Sequence, residues 1–331
     1  MASNARTAVL AALVTVLLFA VGLTVTLLVA GRPGPDASSG VSPRPSGSGV
    51  PTSPAPSSSA PSSVGPTTDV PPSREPTESA EPEPNTAAPT RAPRDCRQVS
   101  LAGPSAVDPA ADLTAVAEEY GVDFEASWYD PGSGVQSVGG LAELPAWSTA
   151  KVPLALAVIR SGQGAEYAEA ISAALRVSDN EAADRLWRAL GPDDAARAEA
   201  VREVLREAGD EGTSVPSRRL RPPYSVFGQT RWATADQIGF LRQLPCLEGA
   251  DQVIAQMRQV SAEQSWALGT MPGAAFKGGW GPTGSGYLVR QFGWYERADG
   301  ERVLVAIAVQ AESFEDGVRV LNALVGAFGR P

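Results

Sequence analysis

Residues 7–30 are apolar or small at every position and carry no charge. About 20 such residues in a helix cross the hydrocarbon core of a bilayer, whereas a cleaved signal peptide has a shorter apolar stretch of roughly 7–15. The segment is therefore read as an uncleaved signal anchor, a transmembrane helix at the start of the chain. The pattern then disappears. Residues 31–94 hold 16 of the 29 prolines among Ser, Ala, Thr, Gly and Glu. A stretch of that composition buries too little apolar surface to offset the entropy of ordering it, and its prolines keep it extended. It is expected to be a disordered spacer of 64 residues.

Periodic patterning returns at residue 95 and continues to 331. A period of 3.6 residues, with its caps, predicts helices over 112–121, 148–159, 167–175, 181–190, 195–208, 233–244, 252–260 and 314–328. Alternation predicts strands over 124–130 and 134–139, split by the hairpin signal Asp130-Pro131-Gly132-Ser133-Gly134. Three more strands are predicted over 274–280, 287–295 and 303–311. Two strands, a long helical stretch, three strands and a final helix fit a sheet built from both ends of the domain, with a helical region between. The expected class is α/β of the α+β type.

Charge narrows the partners. The net charge is −10 and the pI about 4.7. Nucleic acid binding depends largely on neutralising phosphates, and no basic run rescues an acidic chain for that role. With no histidine, two cysteines and no P-loop pattern, no metal or organic cofactor is expected. If the domain is exported, the even cysteine count favours a disulfide between Cys96 and Cys246. Two separate buried thiols are the alternative.

The basic residues carry a second message. Of 27, only Lys151 and Lys277 are lysines. An arginine cannot be deprotonated in a protein, but a buried lysine can lose its proton and act as a base. A Ser-His-Asp triad is impossible without histidine, so a serine nucleophile needs another base. Lys151 lies three residues after Ser148, and on a helix positions i and i+3 share a face. The helix that follows is almost wholly apolar, and burial lowers a lysine's pKa. Ser178-Asp179-Asn180 falls between two predicted helices. Lys277-Gly278-Gly279 closes a predicted strand, where the glycines, Gly279 included, let a ligand's backbone approach and Lys277 supplies a cation for a substrate carboxylate. Taken singly, these are a helix cap, a turn with its N-cap, and a strand-end turn.

Taken in this order they are Ser-x-x-Lys, Ser-Asp-Asn and a variant of Lys-Thr-Gly. The chain thereby resembles the penicillin-binding proteins and class A β-lactamases, over most of residues 112–328. The resemblance implies an antiparallel sheet flanked by helices, an all-helical lobe, and Ser148 between them. It makes Ser148 the acylated nucleophile and Lys151 its base. Ser178 relays a proton to the leaving amine with Lys277 nearby, and Asn180 holds the substrate amide. Backbone N–H groups of Ser148 and of Trp280, next after Lys277-Gly278-Gly279, form the oxyanion hole.

Three departures qualify that expectation. Gly278 replaces the threonine of Lys-Thr-Gly. The interval from Lys151 to Ser178 is short for a class A enzyme. Residues 212–224, where class A lactamases carry a glutamate that activates water, contain no acidic residue, and Glu211 falls too early. The expected function is an extracytoplasmic, membrane-anchored serine hydrolase or acyltransferase for peptidoglycan-type D-peptides or β-lactams, with slow deacylation. A binding or sensing module of the same fold, without turnover, is the second expectation. A purely structural wall-spanning protein would explain the spacer but not the motifs.

Overall fold

The computed structural model describes residues 100–141 and 144–329. The expected anchor, the spacer and Cys96 lie outside the described residues. The proposed bridge to Cys246 therefore remains an expectation. Among the described residues no helix is long and apolar enough to cross a membrane.

The elements follow the order that the patterning predicts. Helix α1 (Pro109–Tyr120) leads into strands β1 (Asp123–Asp130) and β2 (Gly134–Gly139). The helical region holds α2 (Lys151–Val158), α3 (Ala168–Arg176), α4 (Asn180–Ala189), α5 (Asp194–Glu207), α6 (Thr234–Gln243) and α7 (Ala250–Met257). Strands β3 (Ala275–Pro282), β4 (Tyr287–Glu296) and β5 (Arg302–Ala311) precede α8 (Phe314–Gly326). Predicted and observed ends agree to within three residues, and the short 3-10 turns between the longer elements carry no periodic signal.

All five strands join one antiparallel sheet in the order β2-β1-β5-β4-β3. The first two strands of the domain thus pair with the last, through β1 and β5. Alternation along β5 explains the layering. Val303, Val305, Ile307 and Val309 point into a core shared with Leu113 of α1 and Leu321, Leu324 and Phe328 at the C-terminal end. Leu304 and Ala306 point the other way, into the core of the helical region. Both faces of the sheet are therefore covered, which requires apolar residues at odd and even positions alike.

One predicted element differs in a way that bears on function. The apolar run starting at Ser148 is not an α-helix from its first residue. Residues Trp147–Ala150 form a 3-10 turn, and α2 begins only at Lys151. Trp147 has φ 49°, outside any right-handed helix, so helical geometry cannot extend back through it. The turn closes on Ala146, whose carbonyl accepts from both N and Oγ1 of Thr149. Pro153 falls in the first turn of α2, where its missing N–H costs nothing.

Candidate active site

The 3-10 turn presents Ser148, half-buried, at the floor of a cavity of about 380 Å³. Strand β3 is one of the two edge strands of the sheet, and its Gly279 packs against this turn. The approach is close because residue 279 is glycine. A Cβ there would stand 2.8 Å from the Ala146 carbonyl oxygen, 2.9 Å from Ser148 N and 3.0 Å from Thr149 N. Gly281, two residues on, leaves the space occupied by the Trp147 ring, 2.6 Å from where its Cβ would be.

The Ser178-Asp179-Asn180 turn reaches the same place from the helical region. Asp179 caps α4, accepting from Ala182 N at 2.6 Å, and buried Ala182, Ala183, Leu186 and Trp187 dock that helix. Ser178 sits at φ 58°, a left-handed conformation that costs a non-glycine residue about 1–2 kcal/mol. It turns the chain sharply from α3 into α4 and brings its hydroxyl between two amines. Lys277 Nζ donates to Ser178 Oγ at 2.9 Å and to the Gly278 carbonyl at 2.9 Å. Lys151 Nζ donates to the carbonyls of Ser178 at 2.6 Å and Asp179 at 3.3 Å, to Asn180 Oδ1 at 2.8 Å, and to Ser178 Oγ at 3.4 Å.

Both lysines have 0% of their surface exposed. Burial pushes the Lys151 amine down to about 7, against the opposing pull of the Asp179 and Asp184 carboxylates. Burial also drives Lys277 well below the ordinary lysine range, and the charge of Lys151 adds to the effect. The expected direct contact between Lys151 and Ser148 is not among the hydrogen bonds of the described residues. The amine is held by the 178–180 turn instead, because a buried amine with several donors must meet acceptors. Ser148 Oγ remains open to the cavity. Trp280 lines that cavity with Ser178 and Asn180.

Other features of the site were not expected from the sequence. The end of the 212–224 loop supplies part of the wall, through Pro223 and Tyr224 with Ser225 beyond them. Asp210 fixes the start of this loop by accepting from Thr213 N and Trp232 Nε1, both at 2.9 Å. Its end is fixed by Gln229, which donates to the carbonyls of Tyr224 and Ser225. Tyr224 stands edge-on to Trp147 with ring centres 5.1 Å apart. Arg221 stacks over Tyr224 at 4.9 Å and donates from Nη1 to the Pro282 carbonyl at 2.7 Å. Among the described residues, none that lines the cavity is acidic.

A third buried basic side chain supports the turn. Arg290 of β4 stands directly across from Gly279 and is fully buried. It donates to the carbonyls of Leu144, Pro145 and Trp232 and to Gln237 Oε1. Gln237 in turn donates to Thr149 Oγ1 at 3.1 Å. The sequence held one signal for it: an arginine, next to Gln291, inside a largely apolar strand.

With the geometry in place, comparison with known proteins locates the fold. No family model and no curated protein matches the chain by sequence. Solved structures do match by shape. A β-lactamase from Xanthomonas campestris pv. campestris aligns with a TM-score of 0.52 at 18% identity, over 66% of this chain and 95% of that one. A β-lactamase from Burkholderia vietnamiensis aligns at 0.51 and 21%, over 66% and 94%. A mutant of the last common ancestor of Gram-negative bacteria class A β-lactamase aligns at 0.51 and 20%, over 66% and 98%. The chain thus has a β-lactamase-like α+β fold, a five-stranded antiparallel sheet with helices. At these identities the likeness concerns the fold.

The contact between β3 and the Ser148 turn yields a direct test. Gly279→Ala forces the turn away from the strand, and overpacking of this kind costs about 1–3 kcal/mol. Denaturant unfolding should show that loss. An unchanged midpoint would mean that the turn does not rest on the strand.

Proposed function

We propose that the chain is a serine hydrolase or acyltransferase of the cell envelope. It is anchored in the cytoplasmic membrane through residues 7–30 and forms an acyl-enzyme on Ser148 with peptidoglycan-type D-peptides or β-lactams. One observation carries this reading: two buried lysine amines converge on the Ser178 hydroxyl beside the cavity into which Ser148 opens.

The chemistry follows from the amines. With its pKa lowered to about 7, a large fraction of Lys151 is neutral near neutral pH. A neutral amine has two N–H donors and a lone pair, so it cannot donate to all four surrounding acceptors. The lone pair is then available for the Ser148 proton as the hydroxyl attacks a carbonyl carbon. Ser178 lies between Lys151 and Lys277 and passes a proton to the leaving nitrogen when the C–N bond breaks. The Ser148 and Trp280 N–H groups hold the oxyanion, and Asn180 binds the substrate amide.

A second reading has its own support. Gly278 supplies no hydroxyl, and the described residues of the cavity wall supply no carboxylate to activate water. Both features also suit a binding or sensing module that does not turn over. Covalent labelling separates the two. A membrane-impermeant tagged penicillin applied to intact cells should label the protein in the membrane fraction, with the label on the peptide containing Ser148. Ser148→Ala and Lys151→Arg should abolish it, since arginine cannot serve as a base. Label on Ser178, or full labelling of Ser148→Ala, would refute the assignment. No labelling, with ligand still bound reversibly, would select the sensing module.

Deacylation is the slow step in this account. A positioned general base typically contributes 10²–10⁴-fold to such a step. Nitrocefin hydrolysis should therefore show a burst near one equivalent and then a slow phase. Steady turnover at ordinary lactamase rates without a burst would mean that another group, Glu181 or Glu211, serves as the base.

A further inference from the structure

We infer that the cavity beside Ser148 is a slot for acyl donors whose side chain is uncharged and aromatic or otherwise apolar, with Tyr224 and Trp280 in its two walls. The inference rests on the reading of Ser148 as the acylated group and goes on to name the donor that the site selects.

The walls are aromatic on both sides. Trp147 and Tyr224 stand on the loop side, edge to face. Trp280 and Tyr287 stand on the sheet side, and both rings pack on Phe314, at 5.1 Å and 6.4 Å. Trp266 backs Trp280 at 6.3 Å. Rings packed against rings in this way form fixed apolar surfaces, which favour an apolar or aromatic group between them. The remaining lining is glycine, proline and neutral polar side chains, with no Asp, Glu, Lys or Arg among the described residues.

A charged side chain entering this space loses its water and finds no opposite charge in the lining. The two lysines lie fully buried behind Ser178 and donate to protein acceptors. An ammonium group could still gain from an aromatic face. At the Tyr224 wall that place is taken, because Arg221 already covers Tyr224 and lies 6.0 Å from the Trp147 ring centre. Its positive charge also repels a second cation. Arg221 itself is not among the lining residues, and its Nη1 is engaged by Pro282.

Three penicillins share one nucleus and differ by a single group on the side chain. Benzylpenicillin is neutral there, ampicillin with its amine protonated carries an ammonium, and carbenicillin carries a carboxylate. Their binding to the Ser148→Ala protein is measured by quenching of tryptophan fluorescence, since Trp147 and Trp280 line the cavity. This protein cannot be acylated at residue 148, so selectivity is measured independently of the labelling experiment. Benzylpenicillin should bind at least about ten-fold more tightly than either charged compound. Tyr224→Asp, which adds a carboxylate to the wall, should raise the affinity for ampicillin. Equal affinities, no binding of any of the three, or preference for ampicillin would overturn the inference. So would tightest binding of carbenicillin lost in Arg221→Gln, since Arg221 would then be an anion site.

Discussion

Two lysine amines share one serine hydroxyl in a space closed to solvent, and much of the domain's local architecture serves that arrangement. Two ammonium charges this close repel each other, and each loses its hydration on burial. Asp179 and Asp184 offset part of that penalty for Lys151, whereas burial and the neighbouring amine both act against the charged form of Lys277. The pair is driven toward fewer protons than two free lysines hold at the same pH. The donors that remain are met by main-chain carbonyls and by Asn180. That is why a polar turn, bent through a left-handed Ser178, is inserted between α3 and α4.

The sheet provides the other half of the arrangement. An edge strand is normally a liability because of its unpaired backbone groups. Here β3 packs against the Ser148 turn at Gly279 and lines the cavity with Trp280, Gly281 and Pro282. Gly279 permits the approach, and Arg290, directly across from it on β4, holds the chain leading into the turn through the carbonyls of Leu144 and Pro145. The chain of contacts from Arg290 through Gln237 to Thr149 links sheet, α6 and turn in one buried polar network. Such networks make a core specific when every member is satisfied. In this one, Arg290 Nε alone lacks a partner among the described residues.

Much of this was legible in the sequence. Amphipathic periods placed the helices, because a helix burying one stripe must repeat near 3.6 residues; alternation placed the first two strands, and short apolar runs placed the last three. Ser148, Lys151, Ser178 and Lys277 stood out because lysine is so rare in this chain, and the structure gathers all four around one space. The details that failed were those set by tertiary contacts. Apolar composition alone cannot separate a 3-10 turn from the first turn of an α-helix, and the left-handed Trp147 decides between them. The bonding of Lys151 to residues 178–180 depends on where a distant turn lands. Arg290 and Arg221 were hidden among 25 arginines of an ordinary surface appearance. The aromatic walls come from four separate segments whose meeting no local pattern announces.

The scarcity of lysine also supplies the most direct test of the central claim. Protein labelled with ¹³C at lysine Cε should give only two side-chain signals, one from Lys151 and one from Lys277. Lys151→Arg, or Lys277→Arg, identifies which is which. Titration followed by NMR should show Lys151 changing protonation near pH 7 and Lys277 losing its proton well below the ordinary lysine value of 10.5. Two signals that both titrate near 10.5 would show the amines to be hydrated and charged at neutral pH, and Lys151 could not then serve as the base.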